Sequence, residues 1–327
     1  MHKLAFNGKI SKAKQLADSI SDAISRKEYQ QGELLPSINR ISREYGLSRD
    51  TVFKAFQDLI AQGIVDSTPT KGYYVSTAVV NILLLLDTYS SFKFELYNAM
   101  AAKLPINYKI DLYFHQGSED RFNKIIQDNV GRFNYYLIIN YRNDQYSEIL
   151  DKLDRKKVLL LDFGKFPKEQ FSYVCQGFDT TLYESMESGL ELFRKYKEIV
   201  FVFPNNSEHP RSCIPYFEKF CRDYGFPYRR INSIGEEDIR KECAYLIIRH
   251  NHLLDTVKIA RQKGYTLGKE IGIVVYNDEP MFEILDNGIT AISTDFRQIG
   301  TLAADFILTR QPVQTYVPTQ LIIRGSL

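Results

Sequence analysis

The stretch Leu35-Pro36-Ser37-Ile38-Asn39-Arg40-Ile41-Ser42-Arg43-Glu44-Tyr45-Gly46-Leu47-Ser48-Arg49-Asp50-Thr51-Val52-Phe53-Lys54-Ala55 decides how the first part of this 327-residue chain is read. Ser37 predicts an N-cap, because its hydroxyl can accept a backbone N–H left over at a helix start. The short helix that follows carries Ile38, Ile41 and Tyr45. Gly46 ends it. Ser48 predicts a second cap two residues later, for a helix whose Val52, Ala55, Phe56, Leu59 and Ile60 line one apolar stripe. Arg49, Asp50, Thr51 and Lys54 then face outward near its start, and the whole reads as helix, tight turn, helix.

Upstream, Leu16, Ile20, Ala23 and Ile24 recur at helical spacing from Ser11, and the run stops in the polar stretch 26–32. Downstream of Gly63 the period changes to extended in Ile64-Val65-Asp66-Ser67. Thr68-Pro69-Thr70-Lys71-Gly72 then turns the chain into Tyr73-Tyr74-Val75-Ser76, a two-stranded wing. A capped helix end offers N–H groups to phosphate, and polar side chains in its first two turns can reach base edges in a major groove. Gly72 at the wing tip adds no side chain to obstruct a close approach by Lys71 to the DNA backbone or minor groove. Tyr73 and Tyr74 are read as alternating strand aromatics that fill a core face rather than touch bases. Net charge contributes little: the chain is +2 overall, and residues 1–77 hold 11 Lys and Arg against 8 Asp and Glu.

These residues resemble the GntR family of winged-helix regulators over about 65 positions: Leu35-Pro36-Ser37, Leu47-Ser48-Arg49-Asp50-Thr51-Val52, Lys54-Ala55, Leu59, Gly63 and Lys71-Gly72-Tyr73-Tyr74-Val75. The resemblance implies double-stranded operator DNA as a partner, contacted by Ser37, Arg40, Ser48, Arg49, Thr51, Lys54, Lys71 and Gly72. Where the family often has an arginine in the second helix, this chain has Asn39 with Arg40 beside it.

From Val79 onward β-rich runs alternate with helical segments. Strands are expected at 79–86, 108–114, 135–140, 157–161, 198–203, 228–231, 244–249 and 271–276. Helices are expected at about 93–103, 119–130, 145–153, 181–195, 209–223, 236–242 and 252–263. Such alternation predicts parallel sheets covered by helices, and about 250 residues of it predict two lobes. The irregular stretch 162–180 and the region Ser293–Phe296 are the expected crossings between them. The fold class is therefore α/β: a winged helix-turn-helix over 1–77 and a bilobal domain over 78–327.

This second part is similar to the effector domain of LacI-type regulators and to periplasmic sugar-binding proteins. The resemblance is carried by Ile82–Asp87, by the block Gly264, Gly268 and Ile271–Asp278, and by Ile292-Ser293-Thr294 with Ile299-Gly300 and Ala303-Ala304. It implies a small-molecule effector between the lobes, at the carboxyl ends of strands, as open α/β sheets favour generally. The implied contacts are Asp87, Tyr89, Tyr141, Arg142, Asp179, Arg211, His250, Asn277 and Asp278. Ile214 stands where the family usually has glycine, His250 where it usually has Asp, and Asn277 where it often has Asp. A monosaccharide is the favoured effector, L-fucose or L-arabinose the first trials, with a non-sugar polar metabolite as the alternative. The family also implies a homodimer and ligand-relieved repression.

Other classes lose their signatures. There is no GxSxG elbow, no GxGxxG after the first strand and no GxxxxGK[ST] loop, so an α/β enzyme fused to a winged helix is the weaker reading. An aminotransferase-like domain would need a longer chain and a Schiff-base lysine that cannot be identified, so no cofactor is expected. Cys175, Cys213, Cys221 and Cys243 form no CxxC pair, and His250 with His252 lacks a third ligand, so no metal is expected. The start MHKLAFNGKI lacks an apolar signal core, and Val79–Leu86 falls short of the roughly 18–20 residues of a membrane span. These features predict a cytoplasmic protein with no membrane partner.

Overall fold

Three helices, α1 (Lys12–Ser25), α2 (Ile38–Tyr45) and α3 (Arg49–Ala61), bury Leu16, Ile20, Ile41, Val52, Phe56 and Leu59 against one another in a computed structural model. It describes residues 6, 10–142, 145–162, 168, 170–205, 207 and 209–327. Each helix starts on a serine: the hydroxyls of Ser11, Ser37 and Ser48 accept from the N–H groups of Lys14, Arg40 and Thr51 at 3.2, 3.3 and 3.1 Å. Gly46 closes α2 in the left-handed region at φ 62°, where a side chain is costly. Strands β1 (Val65–Thr68) and β2 (Gly72–Val75) pair antiparallel as the wing. Tyr73 stacks on Phe56 with ring centroids 4.1 Å apart, which seats the wing on α3.

Lobe one contains β3 (Val80–Leu86), α4 (Ser91–Lys103), β4 (Tyr108–Phe114), α5 (Glu119–Asn129), β5 (Tyr135–Ile138), β6 (Val158–Leu161) and β7 (Ser172–Gln176). Lobe two contains α6 (Thr180–Ser188), α7 (Leu190–Phe193), β8 (Glu198–Val202), α8 (Cys213–Asp223), β9 (Tyr228–Ile231), β10 (Cys243–Ile247), α9 (His250–Gln262), β11 (Ile271–Tyr276) and β12 (Thr290–Thr294). The chain then returns through α10 (Phe296–Thr309) and β13 (Gln314–Val317) to lobe one, and β14 (Thr319–Ile322) ends in lobe two. The sheets order as β13-β7-β6-β5-β3-β4 and β14-β12-β11-β10-β8-β9. Every neighbour pair is parallel except β12 with β14. Strands β5, β6, β10 and β11 are buried throughout, which is why they read as unbroken apolar runs rather than alternating ones.

Three segments cross between lobes: after β7, between β12 and α10, and between β13 and β14. Threonines tie the crossings together. Thr319 donates from Oγ1 to the Gly177 carbonyl at 2.7 Å, and Thr294 donates to the Val317 carbonyl at 3.2 Å. The third crossing had no sequence signal, because β13 and β14 are half-exposed edge strands without apolar runs. Two expected helices are corrected: 145–153 contains a five-residue 3₁₀ turn at Glu148–Lys152, and 236–242 a single turn at Glu236–Asp238. Strand β7 falls inside the stretch expected to be irregular.

The winged helix packs directly on lobe one. Asn107 Nδ2 donates to the carbonyls of Gly63 and Ala78, each at 3.0 Å, and the Tyr108 hydroxyl donates to the Gln62 carbonyl at the end of α3. Behind this contact α4 and α10 approach closely, since a Cβ on Gly300 would lie 2.2 Å from the Leu96 carbonyl oxygen.

Candidate effector cleft and nucleic-acid interface

On the winged helix, Ser48, Arg49 and Lys54 lie exposed on the N-terminal half of α3, and Lys71 and Gly72 lie exposed at the wing tip. The Ser48 hydroxyl also pairs with Thr51 Oγ1 at 2.7 Å, so both polar groups serve the cap while their exposed sides stay available. Lys71 sits 5.9 Å from the Tyr74 ring centre, and no atom lies within 4 Å of where a Gly72 Cβ would be. Arg40 is exposed on α2 at 4.0 Å from Glu44, a spacing that holds a surface guanidinium only weakly. The eight sequence candidates thus occupy one helix-turn-helix and its wing, with Ser37 capping α2.

Between the lobes lies a cleft of about 450 Å³, lined at the carboxyl ends of β3, β6, β7, β8, β10 and β11. Its floor on the lobe-one side is a buried charge cluster. Asp87 follows β3 and forms an ion pair with Lys93 in the first turn of α4, whose side chain is 6% exposed. Asp162 follows β6 and accepts from Gln176 Nε2 at 2.5 Å. Burial pushes the Asp162 carboxyl up to about 7, against the opposing pull of the Lys93 ammonium and the Gln176 hydrogen bond. Lobe two supplies His250, whose Nδ1 lies 3.3 Å from a Glu279 carboxylate oxygen, and an aromatic wall. His209 packs edge-on against Tyr276 and Phe178 at 4.3 and 5.2 Å. Burial there depresses the His209 imidazole to about 3, which keeps it neutral.

Four buried polar atoms on this lining have no hydrogen-bond partner among the described residues: Ser90 Oγ, Gln176 Oε1, His209 Nε2 and Asn277 Oδ1. A buried polar group without a partner costs on the order of 1–3 kcal/mol, and four gathered from both lobes into one cleft leave hydrogen-bonding capacity there for water or a polar ligand. Asp162 and Asn277 also hold positive φ of 54° and 64°, unusual for residues with a Cβ. Such local strain recurs at binding sites.

Of the sequence candidates, the cleft brings together Asp87, His250 and Asn277. The others do not line this cleft. Asp179 is buried and caps α6 by accepting from the Thr180 N–H at 2.7 Å. Asp278 is held in a bidentate ion pair by Arg324, both contacts at 2.7 Å. Arg211 is exposed and donates to the Asn205 carbonyl at 2.8 Å. Tyr89 is exposed at 71% and leans on Phe94, while Tyr141 packs on Phe122 and Arg142 donates to Gln145. Lys93, Asp162, Gln176 and His209 were missed. Asp162 carried the same signal as Asp87, an apolar run ended by a carboxylate: Val158-Leu159-Leu160-Leu161-Asp162 beside Ile82-Leu83-Leu84-Leu85-Leu86-Asp87.

Residues 12–75 match the family described as bacterial regulatory proteins, gntR family, and residues 192–327 match the periplasmic binding protein-like domain. The chain therefore joins a GntR-type winged helix to a periplasmic-binding-protein-like domain. It is 38% identical over 68 residues to the mannosyl-D-glycerate transport/metabolism system repressor MngR of Escherichia coli, covering 21% of this chain and 28% of that protein. The chain thus spans less than a third of that relative. The trehalose repressor of Escherichia coli superposes on 76% of this chain and 100% of its own at a TM-score of 0.62 and 14% identity. A LacI family regulator, CCPA of Weissella paramesenteroides with bound glucose, covers 76% and 98% at 0.58 and 20% identity. At such identities these two establish the bilobal fold. Among the described residues no helix is long and apolar enough to cross a membrane.

Proposed function

We propose that this chain is a cytoplasmic, sequence-specific DNA-binding transcriptional regulator, a repressor whose operator affinity is set by a monosaccharide held between the two lobes. The observation that carries the effector half is the set of four unpartnered buried polar atoms converging from both lobes on the cleft. Gln176 Oε1 and Asn277 Oδ1 accept hydrogen bonds, so the fitting ligand brings several O–H donors. Lys93 between Asp87 and Asp162 leaves the floor without a large uncompensated charge, which favours a neutral ligand over an anion. The aromatic wall of Phe178, His209 and Tyr276 suits the C–H faces of a pyranose or furanose ring. Asp87, His250 and Asn277 are the assigned sugar contacts, joined by Lys93, Asp162 and Gln176.

For the DNA half, Arg49, Thr51 and Lys54 are assigned to the major groove, Ser37, Arg40 and Ser48 to phosphate positioning, and Lys71-Gly72 to the flanking backbone or minor groove. Two copies pair through the lobes, so that two winged helices meet a pseudo-palindrome whose half-site spacing mirrors the dimer axis. Sugar closing the lobes shifts operator affinity by no more than its differential affinity for the two states. Calorimetric titration of the protein against pentoses, deoxyhexoses, hexoses and their phosphates tests the effector half. L-fucose and L-arabinose are tried first. A saturable micromolar neutral sugar supports the reading, and binding confined to phosphorylated or non-sugar ligands overturns it.

A further inference from the structure

At the amino ends of the lobe-one strands, the opposite end of that sheet from the cleft, lies a larger cavity of about 730 Å³. Its apolar side is aromatic: Tyr108 begins β4, Tyr135 begins β5, and Phe306 near the end of α10 meets Tyr135 edge-on at 6.0 Å. Its rim is basic. Arg155, Lys156 and Lys157 precede β6, and Arg310 closes α10 at φ 57°. Asp154, the one carboxylate on the lining among the described residues, caps the turn by accepting from the Lys156 N–H at 3.1 Å. Arg155 reaches Asp151 at 3.1 Å, whereas among the described residues no carboxylate lies within ion-pair distance of Lys156, Lys157 or Arg310. Cations that outnumber the carboxylates around an aromatic floor are the complement of an anion with a flat organic body.

The geometry points to a second binding site here, for an aromatic organic anion such as a nucleoside monophosphate, its ring against Tyr108 and Tyr135 and its phosphate among Lys157, Arg310 and Arg155. The site is independent of the sugar cleft. It is also joined to the DNA-binding domain, because Tyr108, one of its lining residues, donates through its hydroxyl to the Gln62 carbonyl at the end of α3. A ligand there therefore touches Tyr108, which together with Asn107 ties lobe one to the winged helix.

The test is calorimetric titration of the full-length protein with AMP, and in parallel with adenosine and ribose 5-phosphate. AMP is expected to bind saturably and more tightly than either fragment, since each fragment meets only half of the lining. Lys157→Gln combined with Arg310→Asn, the asparagine chosen because it tolerates positive φ, is expected to weaken AMP at least tenfold. Thermal unfolding and any sugar binding in the cleft should be unchanged in that variant. Cleft variant Asn277→Ala is expected to leave AMP binding as it was. Absence of saturable AMP binding, AMP binding untouched by the double variant, or loss of AMP binding on Asn277→Ala would overturn the assignment. So would loss of operator affinity in the ligand-free double variant, which would make the basic rim a DNA contact.

Discussion

The winged helix and the cleft hold their functional groups in opposite ways. In the winged helix Ser48, Arg49, Thr51 and Lys54 fall within seven consecutive positions of one capped helix start, and the wing tip follows 17 residues after Lys54. In the cleft Asp87, Asp162, Gln176, His209, His250 and Asn277 arrive from six strand ends and two lobes. A contiguous site is specified by local rules, caps and helical period. A dispersed site is specified by which strands become neighbours, and that is a property of the whole sheet.

The largest effects should separate the two regions cleanly. Arg49→Ala removes an exposed cation from the face assigned to the groove, and should cost about 1–3 kcal/mol of operator binding, or roughly 5- to 150-fold. Sugar heats should be unaltered, and an unchanged gel-shift midpoint would remove Arg49 from the interface. Gln176→Ala or Asn277→Ala should weaken the sugar by about 0.5–1.5 kcal/mol each, up to roughly tenfold, and leave DNA affinity without sugar intact. Calorimetry on each variant reads both.

Acid–base behaviour sharpens the cleft side. Asp162 has its folded pKa raised to about 7, so the folded chain binds more protons than the unfolded one between the ordinary carboxylate range and 7. Its contribution to stability therefore falls as pH rises through that window, with a limiting slope of about 1.4 kcal/mol per pH unit. His209, depressed to about 3, works in the opposite sense: the unfolded chain binds the extra proton between 3 and about 6.5, so stability is lost on acidification. The two slopes oppose one another below about pH 6.5. Asp162→Asn should steepen acid destabilisation, seen as a lower urea midpoint at pH 5 relative to pH 7.5, and an unaltered pH profile would refute the buried-carboxyl account.

Smaller effects probe the contact between the regions. Tyr108→Phe removes one hydrogen bond to the Gln62 carbonyl and should cost about 1 kcal/mol in urea unfolding. Arg211→Ala should change neither sugar nor operator affinity, because its guanidinium is exposed and bonded to the Asn205 carbonyl. A loss of sugar binding there would redraw the cleft wall.

The same contrast explains how much was legible in advance. The caps at Ser37 and Ser48, Gly46 and the stripe from Val52 to Ile60 could be read residue by residue, whereas the Ser11 cap emerged only in the structure. The buried strands β3, β6, β10 and β11 announced themselves as apolar runs, and the resemblance to LacI-type effector domains pointed to Asp87 and Asn277 at the ends of two such runs. Asp162 gave that signal too, but it opens a stretch whose rhythm breaks, so it was passed over. Lys93 and Gln176 gave none: a lysine between two phenylalanines at a helix start reads as a surface residue until the ion pair with Asp87 is seen. Arg211 and Asp278 show the converse case, polar residues after strands that bond to the Asn205 carbonyl and to Arg324 and do not line the cleft. Edge strands β13 and β14 were invisible because a half-exposed edge needs no apolar pattern.

The central claim is that occupancy of the cleft is felt by the winged helix. Its most direct test is fluorescence anisotropy of the protein on a duplex selected from random sequence, titrated with and without a saturating neutral sugar identified by calorimetry. The account predicts at least a fivefold weaker DNA affinity with sugar, and Asn277→Ala raises the sugar concentration needed for half of that effect by up to roughly tenfold. Equal affinities with the cleft demonstrably full would contradict it.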